Sequence, residues 1–183
     1  MNNSISRLLL SFVLFLLLPC MTLAADDDKA NVSSKPVQTG VSAVTQAAVQ
    51  AGVLSCAERI NQVTNFLTAN SNSGAFLFLS SPQPDESVFS ASLEIEIQGK
   101  EDSTAYASMS FAPNQANGCG ALYETVVYWP IHCKELETKQ FAGLKPAGAI
   151  RKVVTVLDAG ASVRVFLMPA GTGCVAIKKE VVQ

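Results

Sequence analysis

The stretch VLSCAERINQVTNFL, residues 53–67, decides the fold, because it is the one long segment outside the N-terminus with clear helical periodicity. Its apolar residues recur at spacings of three and four, which puts them on one face of a helix. They are Val53, Cys56, Ile60, Val63 and Leu67. The segments after Gly74 change to a period of two, which predicts a sheet whose apolar face this helix covers.

A second apolar stripe precedes this helix but is out of phase with it. Gly52 separates the two stripes, so we expect a break or kink there. Ser55 and Glu58 match the Ser-x-x-Glu capping box, which predicts that the helix begins near Cys56. The polar run 70–74 then ends the helix.

Strand patterns fill most of the remaining chain. In Val88–Gln98 apolar residues alternate with Ser, Glu and Gln, which is typical of an antiparallel strand with one buried face. The predicted strands are 75–80, 88–98, 104–111, 121–129, 150–158, 162–168 and 174–182. Residues 131–142 are charged and have weak helical spacing, which predicts a short surface helix or a lid.

These patterns predict an α+β fold, with an N-terminal helix packed on one face of a six- to seven-stranded, mostly antiparallel sheet, in a single domain over residues 41–183. A helix followed by an antiparallel meander is similar in layout to cystatin-like and helix-grip proteins. The Gln-x-Val-x-Gly motif of cystatins is absent from the sequence, so the resemblance implies no inhibitory activity.

The N-terminus has the order of a secretory signal peptide: a charged residue, an apolar run and small residues before a cleavage site. Arg7 precedes the run Leu8–Leu18, and a cut near Ala25 makes 1–25 the signal peptide. The run is about eleven residues, whereas a membrane span needs about 20. The polar segment 26–40 reads as a flexible leader, so we expect a periplasmic or secreted protein.

A lipoprotein signal is the alternative, with Cys20 acylated. Pro19 stands directly before this cysteine, where such sites prefer a small residue, so the sequence favours cleavage without a lipid.

Export makes the cysteines informative, because disulfides persist in oxidising compartments. Four remain after cleavage: Cys56, Cys119, Cys133 and Cys174. An even number without a CxxC pair predicts two disulfides and no metal site. If the strands simply alternate in direction, Cys133–Cys174 and Cys56–Cys119 are favoured. If residues 131–149 cross over, Cys119–Cys174 and Cys56–Cys133 become natural.

Catalytic groups are scarce. His132 is the only histidine, and no Gly-x-Ser-x-Gly motif accompanies it. Glu94 and Glu96 lie about 7 Å apart on one strand face, a spacing conceivable for a glycosidase pair but usual for solvating residues. The net charge of −2, without a basic stripe, argues against a nucleic-acid partner. We expect no catalytic site and no cofactor.

Aromatic residues are the most distinctive feature of the predicted strand 121–129. Tyr123, Tyr128 and Trp129 cluster there, and Tyr and Trp are common anchors at protein interfaces. Adjacent residues of a strand point to opposite faces, so Tyr128 and Trp129 cannot both be buried against one helix. These three residues are the predicted binding site, and ordinary core packing is the alternative.

The sequence therefore favours an exported, non-catalytic protein-binding module: an inhibitor, an immunity-type protein or an adaptor of an envelope assembly. Its expected partner is a protein of the cell envelope, and no membrane span remains after signal cleavage. The alternative is a carrier of a small apolar ligand held between helix and sheet. That alternative requires Ala91, Ala105 and Ala107 to face empty space.

Overall fold

The computed structural model describes residues 40–69, 71–80, 82–97 and 103–182. The predicted signal peptide, Cys20 and all of the predicted leader except Gly40 lie outside these ranges. The helices are α1 (Ala43–Gln50), α2 (Ala57–Thr68) and α3 (Cys133–Gln140). The strands are β1 (Ser73–Phe78), β2 (Phe89–Glu96), β3 (Thr104–Asn114), β4 (Gly118–Trp129), β5 (Lys145–Ile150), β6 (Val154–Asp158), β7 (Val163–Ala170) and β8 (Gly173–Val182).

All eight strands form one antiparallel sheet in the order β1-β2-β3-β4-β8-β7-β6-β5. The α+β class and the antiparallel sheet are confirmed, but the predicted count of six to seven strands is wrong. The missing strand is β5, whose sequence KPAGAI lacks alternation. Arg151, with φ of 56°, turns the chain after Ile150 and so divides the predicted strand 150–158 between β5 and β6.

The helical region divides near the predicted glycine. The helix α1 ends at Gln50, and Gly52 has φ of +94°, a conformation that glycine adopts without strain. The predicted start of the helix near Cys56 is confirmed, but the capping box is wrong, because Cys56 is the N-cap and its side chain accepts no capping hydrogen bond. Ser55 instead donates its hydroxyl to Asp85 Oδ2 at 2.9 Å, which ties the α1–α2 loop to the loop that precedes β2.

Two buried clusters replace the single core predicted under one N-terminal helix. The N-terminal core joins α1 and α2 to β2, β3 and β4; its buried residues are Val44, Ala48, Val53, Cys56, Ile60, Val63, Phe89, Ala91, Leu93, Ile95, Ala105, Ala107, Met109, Phe111, Cys119, Ala121 and Tyr123. The C-terminal core joins α3 to β6, β7 and β8; its buried residues are Leu136, Leu157, Val165, Leu167, Cys174 and Ala176. The prediction of one covering helix is therefore wrong. The weak apolar spacing of 131–142 hid the role of α3, which buries only Leu136 completely.

Two disulfides join the helices to the sheet. Cys56, at the start of α2, bonds to Cys119 on β4, and Cys133, at the start of α3, bonds to Cys174 on β8. This is the pairing that alternating strand directions favour, and its cause is visible in the register, where Trp129 at the end of β4 lies opposite Cys174. Each bridge thus fixes one helix to the strands beneath it.

None of the three helices in the described ranges combines the length and the apolar composition that crossing a lipid bilayer requires.

Candidate functional site

All three helices lie on one face of the sheet. Residues paired across antiparallel strands share a face, and so do residues an even number apart on one strand. Tyr123 belongs to the N-terminal core, whereas Trp129, six residues later on β4, packs on the C-terminal core. Both cores therefore occupy the same face. The opposite face, here called the outer face, is covered by no helix of the described ranges.

The outer face of the five strands β4, β8, β7, β6 and β5 is apolar. One row begins with the paired residues Tyr128, Val175 and Met168, and a second row begins with Val126, Ile177 and Phe166. We call the complete set the outer patch: Tyr128, Val175, Met168, Val154, Ile150, Val126, Ile177, Phe166 and Val156. Strands about 4.8 Å apart give the patch a width of about 19 Å.

Several members of the outer patch are well exposed to solvent. Tyr128 and Ile150 are each 54 % exposed and Met168 is 38 % exposed, while the remaining members are half-buried by their neighbours. A cluster of exposed apolar side chains rimmed by polar residues marks an interaction site more often than isolated ones do. The cluster lies on the face of a sheet and not in an enclosed pocket, which suits the extended surface of a partner.

A row of charges borders the outer patch on one side. Glu124, Lys179, Arg164, Asp158 and Lys145 follow one another across β4, β8, β7, β6 and β5. Lys179 Nζ lies 3.2 Å from Glu124 Oε2, and Arg164 contacts Asp158 Oδ1 at 3.0 Å. Paired charges at the border of an apolar centre resemble the rim of a protein interface.

Tyr128 is the member of the predicted aromatic site that lies in the outer patch. Its ring lies beside Gly173, and a Cβ atom on that glycine would stand 2.6 Å from Tyr128 Cε2. Gly173 therefore leaves the space that the tyrosine ring needs, a role that the sequence pattern did not reveal. Trp129, as expected for an adjacent strand residue, points to the other face and packs on the C-terminal core.

Tyr123 is buried beneath α2, with 2 % of its surface exposed. Its hydroxyl donates a short hydrogen bond to Glu180 and accepts one from Lys178 Nζ at 2.9 Å. Lys178 also lies over the rings of Phe66 and Tyr123, 5.5 and 5.3 Å from their centroids. The structure therefore does not bring the three predicted aromatic residues together.

The electrostatics around Tyr123, Lys178 and Glu180 hold these groups in their ordinary charge states. Burial, followed by the hydrogen bond to Glu180, raises the pKa of Tyr123. Burial alone would lower the pKa of Lys178, but its hydrogen bonds to Glu180 and Tyr123 outweigh that effect and raise it. Both groups stay protonated at neutral pH, so neither is available as a nucleophile or general base.

The other residues considered for catalysis lie on separate elements: two glutamates on β2 and one histidine before α3. Glu94 and Glu96 are exposed, and Glu96 accepts a hydrogen bond from Asn72 Nδ2 at 2.9 Å. His132 is exposed and directly precedes α3. Within the described ranges, no three His, Cys, Asp or Glu side chains converge on a point that could hold a metal ion.

Comparison with protein families, curated proteins and solved structures finds no match to this chain.

Proposed function

We propose that the protein is an exported, non-catalytic protein-binding module, and that the outer patch is its docking surface. One observation carries the proposal: nine apolar side chains form two adjacent rows on a sheet face that no described helix covers. Burying such rows against a partner releases water from apolar surface, which is the main favourable term in most protein association.

The form of the site favours a protein partner over a small molecule. A small ligand needs a concave pocket that encloses most of its surface. The outer patch is broad and lies on a sheet, with an aromatic anchor, Tyr128, and a rim of paired charges such as Glu124 with Lys179. Interfaces commonly combine an aromatic or apolar centre with a polar rim.

The proposed location rests on the predicted signal peptide together with the two disulfides. Bridges such as Cys56–Cys119 persist in oxidising compartments and are rare in the cytosol. A protein of the cell envelope is therefore the expected partner, and an inhibitor, an immunity-type protein and an assembly adaptor are the three classes that fit.

Capture of envelope proteins on the immobilised, oxidised mature chain tests this function. Met168→Lys places a charge in the centre of the outer patch, and Tyr128→Ala removes its aromatic anchor. Leu54→Lys is the control, because Leu54 is 60 % exposed but belongs to the loop between α1 and α2. We expect a stoichiometric partner that both patch variants lose and the control keeps. Equal retention by all variants would contradict the proposed surface.

The carrier hypothesis has a different observation in its favour. A groove of about 530 Å³ lies between the helices and the edge of the sheet, with Val44, Ala75 and Leu77 among its lining residues. Ala91 and Ala107, which a carrier would need to face empty space, are completely buried in the N-terminal core. Co-elution of a small apolar molecule with the purified chain, and its loss in Ala75→Asp, which places a charge at an exposed position of the groove, would favour this second function.

A further inference from the structure

The strand β1 lies at one end of the sheet, and among the strands of the described ranges it pairs with β2 alone. Its register with β2 is regular over all six residues, Ser73–Phe78. The sequence SGAFLF contains no charge and no proline. Natural edge strands usually carry such residues or a bulge, because these features discourage pairing with another chain. This edge is therefore open to a further strand.

The hydrogen-bond pattern identifies the backbone groups of β1 that point away from β2 at this edge. The carbonyl of Asn72 accepts from the N–H of Glu96 at 3.1 Å, which makes these two residues a hydrogen-bonded pair. Hydrogen-bonded and non-hydrogen-bonded pairs alternate along antiparallel strands. Ser73, Ala75 and Leu77 consequently direct their N–H and C=O groups away from β2, toward the position that an added strand would occupy.

A notch beside this edge lies on the outer face. Gly74 pairs with Glu94, and Glu94 pairs with Tyr106 on β3. A Cβ atom on Gly74 would meet no atom within 4 Å, so the space above this glycine is open. A cavity of about 450 Å³ occupies the region, and Phe76 forms another of its walls. A side chain from an added strand can thus cross Gly74 and reach Glu94.

The chemistry of the notch suits a basic side chain. No cation in the described part of the chain forms an ion pair with Glu94. Phe76, 66 % exposed, and Tyr106, 47 % exposed, line the same cavity and offer aromatic faces to a cation. Tyr106 is held by a 2.8 Å hydrogen bond between its hydroxyl and Ser92 Oγ. A carboxylate and two aromatic rings that line one cavity complement lysine or arginine.

We propose that β1 binds an extended segment of a partner polypeptide as a ninth strand, and that a lysine or arginine of this segment crosses Gly74 to pair with Glu94. Main-chain hydrogen bonds to Ser73, Ala75 and Leu77 supply the binding, and the notch supplies the preference for a basic residue. Side chains on the other face of the added strand enter the groove beside α1 and α2. This site is separate from the outer patch and does not depend on it.

A synthetic heptapeptide tests the proposal directly. It alternates threonine with valine and carries one lysine in place of a threonine, so that the lysine lies on the outer face and the valines face the groove. With the full mature chain, we expect hydrogen exchange to slow at the amides of Ser73, Ala75 and Leu77 when the peptide is added. Absence of peptide binding at millimolar concentration, or protection elsewhere, would overturn the proposal.

Two variants separate the main-chain contribution from the charge contribution. Ala75→Pro removes an outward N–H without removing a bond to β2, so the sheet remains and peptide binding is lost. Glu94→Gln weakens binding of the lysine peptide by up to about fivefold, the size expected for an exposed charge pair, because the aromatic rings of the notch remain. A peptide with norleucine in place of lysine binds Glu94→Gln and the unsubstituted chain equally.

Glu96→Gln is the matched control, because Glu96 lies on the same strand and face as Glu94 but is bonded to Asn72. Equal losses in the two glutamine variants would overturn the role of the notch. If Ala75→Pro unfolds, Gly74→Val replaces it: the added side chain closes the notch and must abolish the preference for lysine over norleucine. Protection of the same amides by a second copy of the chain, without peptide, would overturn the assignment to a partner.

Discussion

The two halves of the sheet distribute their apolar side chains in opposite ways. In the N-terminal half, β1–β4 with α1 and α2, seventeen described residues are buried in the core, and the outer face of β2 and β3 carries serines such as Ser90, Ser92, Ser108 and Ser110. In the C-terminal half, β5–β8 with α3, six residues are buried, and apolar residues line the outer face. The half with less helical cover thus places more of its apolar strand residues on the outer face.

The two edges of the sheet also differ, and here the strand of the N-terminal half is the one that lacks protection against pairing with another chain. β5 contains Lys145 and Pro146 and has a bulge before Gly148, features that discourage strand addition. β1 has none of these features. It exposes Phe76 and Phe78, whose ring centroids lie 5.1 Å apart. The unprotected edge therefore belongs to the N-terminal half, whereas the outer patch lies on the C-terminal half and the adjoining strand β4.

Substitutions in the two cores are expected to change the free energy of unfolding most, and they test whether the two halves fold together. Phe111→Ala in the N-terminal core should lower the free energy of unfolding by about 3–5 kcal/mol, and Leu157→Ala in the C-terminal core by about 2–5 kcal/mol. Both side chains are at most 1 % exposed. Because β4 and β8 pair along nine residues each, we expect a single transition in both variants.

Urea unfolding followed by fluorescence and by far-UV circular dichroism measures these changes. Tyr128→Phe, which leaves both cores intact, serves as the control. Two separate transitions in Leu157→Ala would show that the halves are independent folding units, and the comparison would then concern two domains.

Removal of either disulfide is expected to have the next largest effect on the free energy of unfolding. Replacing Cys56 and Cys119 by serine, or Cys133 and Cys174 by serine, should cost about 2–4 kcal/mol for each bridge. The bridges span 63 and 41 residues, and loop-closure entropy alone makes the longer one more stabilising by only about 0.4 kcal/mol. Similar global losses are therefore expected.

Hydrogen exchange tests whether the second bridge, Cys133–Cys174, stabilises only the region around α3. Because the C-terminal core is small and α3 contributes only one completely buried side chain, Leu136, we expect α3 to exchange faster without Cys133–Cys174 while β2 and β3 stay protected. Loss of protection throughout the sheet would contradict a local role for this bridge.

Local sequence patterns predicted the elements whose burial follows a regular period. The strict alternation of the predicted strand 88–98 is found in β2, Phe89–Glu96. The predicted helix stripe is confirmed in part: Ile60, Val63 and Leu67 face the N-terminal core from α2, whereas Val53 and Cys56 reach the same core from the residues that precede the helix. The break at Gly52 was readable because glycine commonly occupies positions of positive φ. In these segments local propensity and tertiary burial agree.

The features that the sequence did not reveal depend on contacts between distant segments. Ser55 was read as part of a capping box, but its hydroxyl is used by Asp85, thirty residues later. β5 lacks a strand pattern because an edge strand requires burial of neither face. The outer patch needs the register of five strands, so of its members only Tyr128 could be identified beforehand, and only as part of an aromatic cluster.

A smaller effect on stability, which depends on pH, is expected from Asp85 in the N-terminal half. The backbone N–H of Ser55, then its hydroxyl and the N–H of Leu54, lower the pKa of Asp85 below its ordinary 3.8. A carboxylate with a lowered folded-state pKa stabilises the fold above its unfolded pKa, and this stabilisation is lost as the pH falls through the lowered value. Asp85→Asn should therefore reduce stability at pH 7 and reduce it less at pH 2, which lies below the ordinary pKa of 3.8.

Urea midpoints of the variant and the unsubstituted chain at both pH values measure this effect, with Glu86→Gln at the neighbouring position as the control. A deficit of Asp85→Asn that is equal at the two pH values would mean that geometry, and not charge, sets the contribution of this loop contact.

The smallest effects are expected on the open surfaces themselves. Phe78→Thr on β1 and Met168→Thr in the outer patch should each change the free energy of unfolding by less than about 0.5 kcal/mol, because both side chains are exposed and threonine suits a strand. Thermal and urea unfolding measure the change. A loss of more than 2 kcal/mol at either site would mean that the side chain stabilises the fold, and its exposure could then no longer be explained by binding. A neutral result at both sites, combined with lost peptide or partner binding, would mean that the two halves keep different surfaces apolar for recognition and not for folding.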